Sequence, residues 1–225
     1  MKKRRVFLLV FLIACFLKIS NSYCDSYVVT EIANNAYINA APQINVHRHI
    51  TWQGGNGNAT DLFYYNGTST IQLTNNANPF HYNEAHPQIN DNDYVVWAGY
   101  DAAWTHQDIY LFNGSEVNNF TNTDEQDISP TINNNNQMAW RKAVLIGPPW
   151  NRWDIYFYNG NSITNVTPNA LSQQGDPKLN QNGNIAWDRD SDIFLYNGDS
   201  VVRITNNSFT DTNPQINANG QVVWR

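Results

Sequence analysis

Hydrophobic and polar positions alternate with a period of two through most of the chain after residue 28, in short runs. The clearest run is Asp108-Ile109-Tyr110-Leu111-Phe112-Asn113-Gly114. Alternate side chains of a strand fall on opposite faces, and Asn-Gly closes the run with a dipeptide that tolerates the positive φ of a tight hairpin. The same pattern returns at residues 61–67, 154–160 and 192–198. A second unit, Pro-x-Ile-Asn, occurs at Pro42, Pro87, Pro130, Pro177 (with Leu179 for Ile) and Pro214, at spacings of 45, 43, 47 and 37 residues. About ten residues after each Pro stands a Trp that ends a short apolar run: Trp52, Trp97, Trp140, Trp187 and Trp224. After each Asn-Gly a further strand is predicted, as in Val201-Val202-Arg203-Ile204-Thr205. No stretch after residue 40 shows a sustained helical period.

Four short strands per repeat of about 45 residues, always in the same order, predict an all-β protein built as a β-propeller of four-stranded blades. The Pro and Trp strands occur five times and the Asp-aromatic strand four times. Residues 28–32 match the fourth strand of a blade. The expectation is four complete blades plus a split or incomplete fifth, closed by the two termini without a third strand. The alternative is an open arc that needs further repeats or self-association with a second copy.

The repeat resembles the WD40-like propeller repeat of the TolB type. The resemblance rests on Pro-x-Ile-Asn, on Asn-Gly-x-Val-Val-Trp (residues 219–224), on Asp-Ile-Tyr-x-Tyr-Asn-Gly (residues 154–160) and on the Leu-Thr-Asn-Asn that follows (residues 73–76). It covers residues 28–225 and extends to the propeller portion only. It implies a role in envelope protein complexes or as an appendage of a peptidase, and it is specific for the blade rather than for an activity. The α/β domain of TolB has no counterpart here, nor has the Gly-x-Ser-x-Gly elbow of the peptidases.

The first 22 residues read as a signal peptide, leaving residues 23–225 as the propeller domain. Lys2, Lys3, Arg4 and Arg5 precede about a dozen apolar residues, followed by Ser20-Asn21-Ser22. Such a run falls short of the ~20 residues that span a bilayer as a helix, so no transmembrane span is expected after cleavage. The expected location is periplasmic or extracellular. In the minority reading Leu12-Ile13-Ala14-Cys15 is a lipobox and Cys15 carries lipid. Five of the 13 basic residues lie in this segment and none of the 19 acidic ones, leaving eight against 19, a net of −11. Such a domain repels phosphate backbones, so nucleic acid is an unsuitable partner.

Aromatics number 13% of the chain against 14% charged residues, and 8 are Trp. The five repeat tryptophans read as scaffold, filling the same gap in each blade. Asp61, Asp108, Asp154 and Asp192 read as local caps on backbone N–H groups at the entry to strand three. Aromatics outside the repeat fall in the predicted loops between strands two and three: Tyr100, Trp104, Trp150 and Trp153. They are the candidate binding residues, as stacking surfaces for a sugar or anchors for a protein; packing within a longer insertion is the structural alternative. Asp188, Asp190 and Asp192 are spaced like the start of a calcium loop, without its later Gly and Glu. His81, Glu84 and His86 share one connection between blades. No nucleophile stands beside a base at a catalytic spacing, so no catalytic residue and no cofactor is expected. The functional expectation is an exported, non-catalytic scaffold that binds a protein partner, with a glycan-binding, lectin-like propeller as the alternative.

Overall fold

A computed structural model of the chain describes residues 30–33, 38–55, 60–75, 86–100, 105–145, 151–168 and 170–225. Among them the strands form four sheets of four and one of two, each antiparallel and in chain order. The first sheet holds β1 (Ile38–Ile44), β2 (Ile50–Gly55), β3 (Thr60–Tyr65) and β4 (Thr70–Gln72). The second holds β5 (Gln88–Ile89), β6 (Val95–Tyr100), β7 (Gln107–Phe112) and β8 (Val117–Asn119). The third holds β9 (Asp127–Ile132), β10 (Met138–Leu145), β11 (Asn151–Tyr158) and β12 (Ile163–Asn165). The fourth holds β13 (Lys178–Leu179), β14 (Ile185–Arg189), β15 (Asp192–Tyr196) and β16 (Val201–Arg203), and the fifth β17 (Gln215–Ile216) and β18 (Val222–Val223). The strands β1, β5, β9, β13 and β17 touch in succession. The sheets therefore fan out around an axis instead of stacking as two layers.

Each of the three gaps between the four-stranded sheets is filled from both sides. Leu62 and Tyr64 of the first sheet meet Val95, Trp97 and Phe112 of the second. Ile109 and Val96 meet Met138 and Trp140 of the third, and Ile155 and Phe157 meet Ile185 and Trp187 of the fourth. In the four complete sheets the repeat tryptophan lies directly opposite an aromatic of strand three in the ladder: Trp52 and Phe63, Trp97 and Tyr110, Trp140 and Tyr156, Trp187 and Phe194. The rings lie 5.6 to 6.1 Å apart, three of the pairs stacked. Burial of each such side chain stabilises the fold by roughly 1.5–3 kcal/mol.

A hydrogen-bonded girdle of asparagines ties the sheets together at the turn between strands one and two. The Nδ2 of Asn45 donates to the carbonyl of Asn90 at 3.1 Å, Asn90 to Asn133 at 2.9 Å, Asn133 to Asn180 at 2.9 Å and Asn180 to Asn217 at 3.1 Å. Each Oδ1 meanwhile accepts from the backbone N–H groups two and four residues on, as Asn133 does from Asn135 and Gln137. This explains the Asn of Pro-x-Ile-Asn. One side chain closes its own turn and holds the next sheet, and buried backbone groups need such partners.

Three readings of the sequence change. The aspartates of strand three serve side chains across the sheet more than local backbone. Asp61, Asp108 and Asp154 accept from Gln72, Asn119 and Asn165 at 3.0, 2.7 and 2.9 Å, and Asp192 from Arg203. The N–H that follows the aspartate bonds instead to a threonine hydroxyl, as Ile109 does to Thr121. In the hairpins only the Gly has positive φ (Gly67, +89°; Gly114, +92°), while Asn66 accepts through Oδ1 from Thr68 and Ser69. The predicted loop that was to carry Trp153 is shorter, because β10 and β11 stay paired from Met138 with Tyr158 out to Leu145 with Asn151. Arg152 secures that extension by gripping Asp154 through two bonds of 2.7 Å and the carbonyl of Ala170.

The fifth sheet is the incomplete one. Among the described residues no pairing joins β18 to the N-terminal stretch, part of which lies outside them. Ile32 and Ala33 pack instead on Ile50, Trp52 and Phe63 of the first sheet, much as Leu73 packs on the second. The girdle stops here as well: Asn217 Nδ2 donates to Gln221 at 2.7 Å within its own turn.

Candidate functional site

The inner strands enclose a cavity of about 850 Å³ on the axis. The residue between Pro and Ile of each motif points into it: Gln88, Thr131, Lys178 and Gln215 from the second to fifth sheets. The first sheet contributes none of the lining. A rim is added by His86 and Ser129, each just before its proline and at positive φ (+31° and +54°). A residue preceding proline normally avoids compact conformations, so each is a local strain, and at Ser129 the ladder of β9 with β10 holds it from both sides. The lining mixes amide and hydroxyl side chains with apolar ones and is crossed by one ion pair, Arg141 to Asp176 at 3.1 Å.

Trp153 backs that pair. It lies in β11 opposite Ala143, half-buried, and the Arg141 guanidinium sits 4.9 Å from its ring centre. A cation over an indole face is attracted by the ring quadrupole, which fixes the guanidinium beside the cavity. The Trp153 backbone N–H donates to Gln173 Oε1 at 3.0 Å. Tyr100 is elsewhere: it lines a smaller cleft of about 230 Å³ between the first and second sheets, with Leu62, Leu73 and Tyr110. Trp104, Trp150 and Cys15 lie outside the described residues, as do His81 and Glu84.

Asp188, Asp190 and Asp192 do not converge. Asp188 and Asp192 sit on the two arms of a hairpin, and Asp192 stands opposite Arg189, not Asp188. Asp190 accepts from Ser172 at 2.5 Å, Asp192 from Arg203 and Thr205, and the Asp188 carboxylate closes against Gly175. Among the described residues no three His, Cys, Asp or Glu side chains form a metal-binding group.

Two ionisable clusters stand away from the axis. His49 Nδ1 meets Asp93 at 2.6 Å and the Tyr64 hydroxyl at 3.1 Å, across the junction of the first two sheets. Burial, with the Asp93 carboxylate adding to it, pushes the Tyr64 phenol up to about 12. In the third sheet Asp127 is fully buried, and burial raises its carboxyl above the ordinary range against the opposing pull of Lys142. It accepts the Trp140 indole N–H at 2.7 Å. The same bond spans 13 residues in three other sheets, from Trp52 to Asn39, Trp187 to Gln174 and Trp224 to Asp211.

The sequence reasoning did not single out the cavity residues. Their signal was the second position of Pro-x-Ile-Asn, where Gln43, Gln88 and Gln215 give way to Thr131 and Lys178 while the Pro and Asn stay fixed.

Radial four-stranded sheets around a central cavity define a β-propeller, and solved propellers match the chain in structure. TolB from Acinetobacter baumannii superposes with a TM-score of 0.55 at 17% identity, over 86% of this chain and 50% of that one. The β-propeller domain of the Trilobed protease from Pyrococcus furiosus, described as having an open velcro topology, gives 0.55 at 12% identity over 83% and 62%. This chain thus spans half the length of the TolB and under two thirds of the protease propeller. At these identities the likeness is one of fold. No family model and no curated protein matches the chain by sequence.

Proposed function

We propose that this chain is a non-catalytic binding scaffold that receives a protein partner at the axial cavity and the loops around its rim. The observation that carries this reading is variation at a fixed structural position: equivalent places around the axis hold Gln88, Thr131, Lys178 and Gln215. A lectin with one sugar site per blade repeats its binding residues from blade to blade. A single composite surface made for one partner does not, and interfaces of this kind combine aromatic and Arg anchors with a polar surround. Trp153 with Arg141 supplies such an anchor at the edge of the cavity. The basic and apolar start of the sequence supports export, which places the partner in the envelope or outside the cell.

The test is recovery of partners from an envelope extract on immobilised chain, with a glycan array run in parallel. The expected result is a protein retained by the wild type and reduced by Trp153→Ala, with a melting temperature lowered by only a few degrees, since the ring is half-buried. Glycan binding in the absence of any retained protein overturns this reading in favour of a lectin.

A further inference from the structure

Of the eight cations that follow residue 22, five are in ion pairs: Arg141, Lys142, Arg152, Arg189 and Arg203. Arg48, Lys178 and Arg225 have no ion-pair partner among the described residues. Arg48 is exposed in the turn between β1 and β2, and Arg225 is exposed beside β18. Lys178 alone of the three lines the axial cavity. It is also the only charged residue among the five at its motif position, where the others are Gln43, Gln88, Thr131 and Gln215.

Apart from it and the His86 imidazole at the rim, the charged side chains of the cavity balance. Arg141 and Asp176 neutralise one another at 3.1 Å, and the neighbouring Gln88, Thr131, Gln107 and Gln215 are uncharged donors and acceptors. One positive charge therefore remains, inside a domain whose net charge after residue 22 is eight minus 19, or −11. A dianion such as phosphate would face Asp176 with charge left over. A single carboxylate matches the balance, with amide and hydroxyl donors beside the ammonium to complete its hydrogen bonds.

We propose that Lys178 makes the axial cavity a receptor for a carboxylate presented by a peptide segment of the partner. This rests on the axial-binding reading above and gives it a chemistry. The lysine is not needed for the fold, because three of its equivalents are glutamine and Lys178 pairs antiparallel with Ala186 through its backbone. Lys178→Gln thus removes the charge and restores the residue that the repeat itself prefers.

The experiment measures fluorescence anisotropy with a labelled decapeptide alternating Glu and Ser, and with its counterpart carrying Gln in place of every Glu. Wild type should bind the acidic peptide about tenfold or more tightly than the amide peptide, the preference shrinking as salt rises. Lys178→Gln should abolish that preference, Lys178→Arg should keep it, and Arg48→Gln, outside the cavity lining, should leave it unchanged. Equal binding of both peptides, binding of neither, or a preference that survives in Lys178→Gln overturns the proposal. Glutarate, glucuronate and inorganic phosphate serve as competitors. Lys178-dependent binding of one of these without peptide binding overturns the peptide source. A natural partner retained equally by wild type and Lys178→Gln sinks the role of the lysine while the scaffold reading stands.

Discussion

Trp187 and Trp224 occupy the same place in two copies of one repeat, yet Trp187 is 0% exposed and Trp224 42%. Both donate the indole N–H to an acceptor 13 residues earlier, Gln174 at 2.8 Å and Asp211 at 3.1 Å. The hydrogen bond is therefore not what buries the ring. Trp187 has Phe194 of the third strand stacked on it, with Phe157 and Val166 closing in from the neighbouring sheet. The two-stranded fifth sheet offers no third strand to Trp224 among the described residues. The indole bond sets orientation, and burial comes from completion of the blade.

That contrast is sharpest under truncation. Trp187→Ala should cost about 3–5 kcal/mol, because it empties a filled gap between two sheets. Trp224→Ala should cost about 1 kcal/mol, in keeping with a ring already half in water. Urea unfolding of both variants measures the difference. Equal losses would mean that the fifth sheet is as tightly integrated as the fourth, and the comparison would fail.

The asparagine girdle gives the same comparison in polar form. Asn133 is 2% exposed and bridges two sheets, whereas Asn217 is exposed and donates only within its own turn. Asn133→Ala leaves the N–H groups of Asn135 and Gln137 without their acceptor and takes from the Asn180 carbonyl one of its two donors, for a loss of about 1–3 kcal/mol. Asn217→Ala should cost about 0.5 kcal/mol or less, since water replaces its partners. Thermal melts that reverse this ranking would show that the girdle does not carry cohesion between sheets.

Much of this was legible in the sequence. The propeller and its four complete sheets followed from a strict period of two and from the recurrence of Pro, Trp and Asp at fixed order, which leave few other ways to bury one face of every strand. The offset of 13 residues between these tryptophans and their acceptors was also present in the chain, but Asn39, Asp127, Gln174 and Asp211 are of three types, so no single identity marked it. Trp153 looked like a loop residue because, among the described residues, the ladder runs furthest past the repeat in the third sheet, where Arg152 braces it. The cavity was hidden because alternation says which side chains face a neighbouring sheet. It does not say which strand ends converge on an axis. Lys178 gained meaning only once β13 lay among the inner strands.

The difference in acceptors supplies the finest test. The third sheet holds its tryptophan with a buried carboxylate where the first and fourth use the neutral amides of Asn39 and Gln174. Burial raises the Asp127 carboxyl in the folded state, while Lys142, Thr123 and Trp140 pull the other way. A raised folded value means that the native state holds the proton more firmly than the unfolded chain. That stabilisation is complete below the ordinary carboxylate range and is lost as pH rises through the raised value. Asp127→Asn keeps an acceptor for the Trp140 indole and leaves Lys142 with Glu125 at 3.1 Å. The variant should match the wild type within about 1 kcal/mol in acid and gain on it as pH climbs through that window. Chemical denaturation from acid to neutral pH gives the two curves. If Asp127→Asn instead falls behind at neutral pH, the Lys142 pairing outweighs the burial of the carboxylate, and the third sheet is held by charge where its neighbours are held by amides.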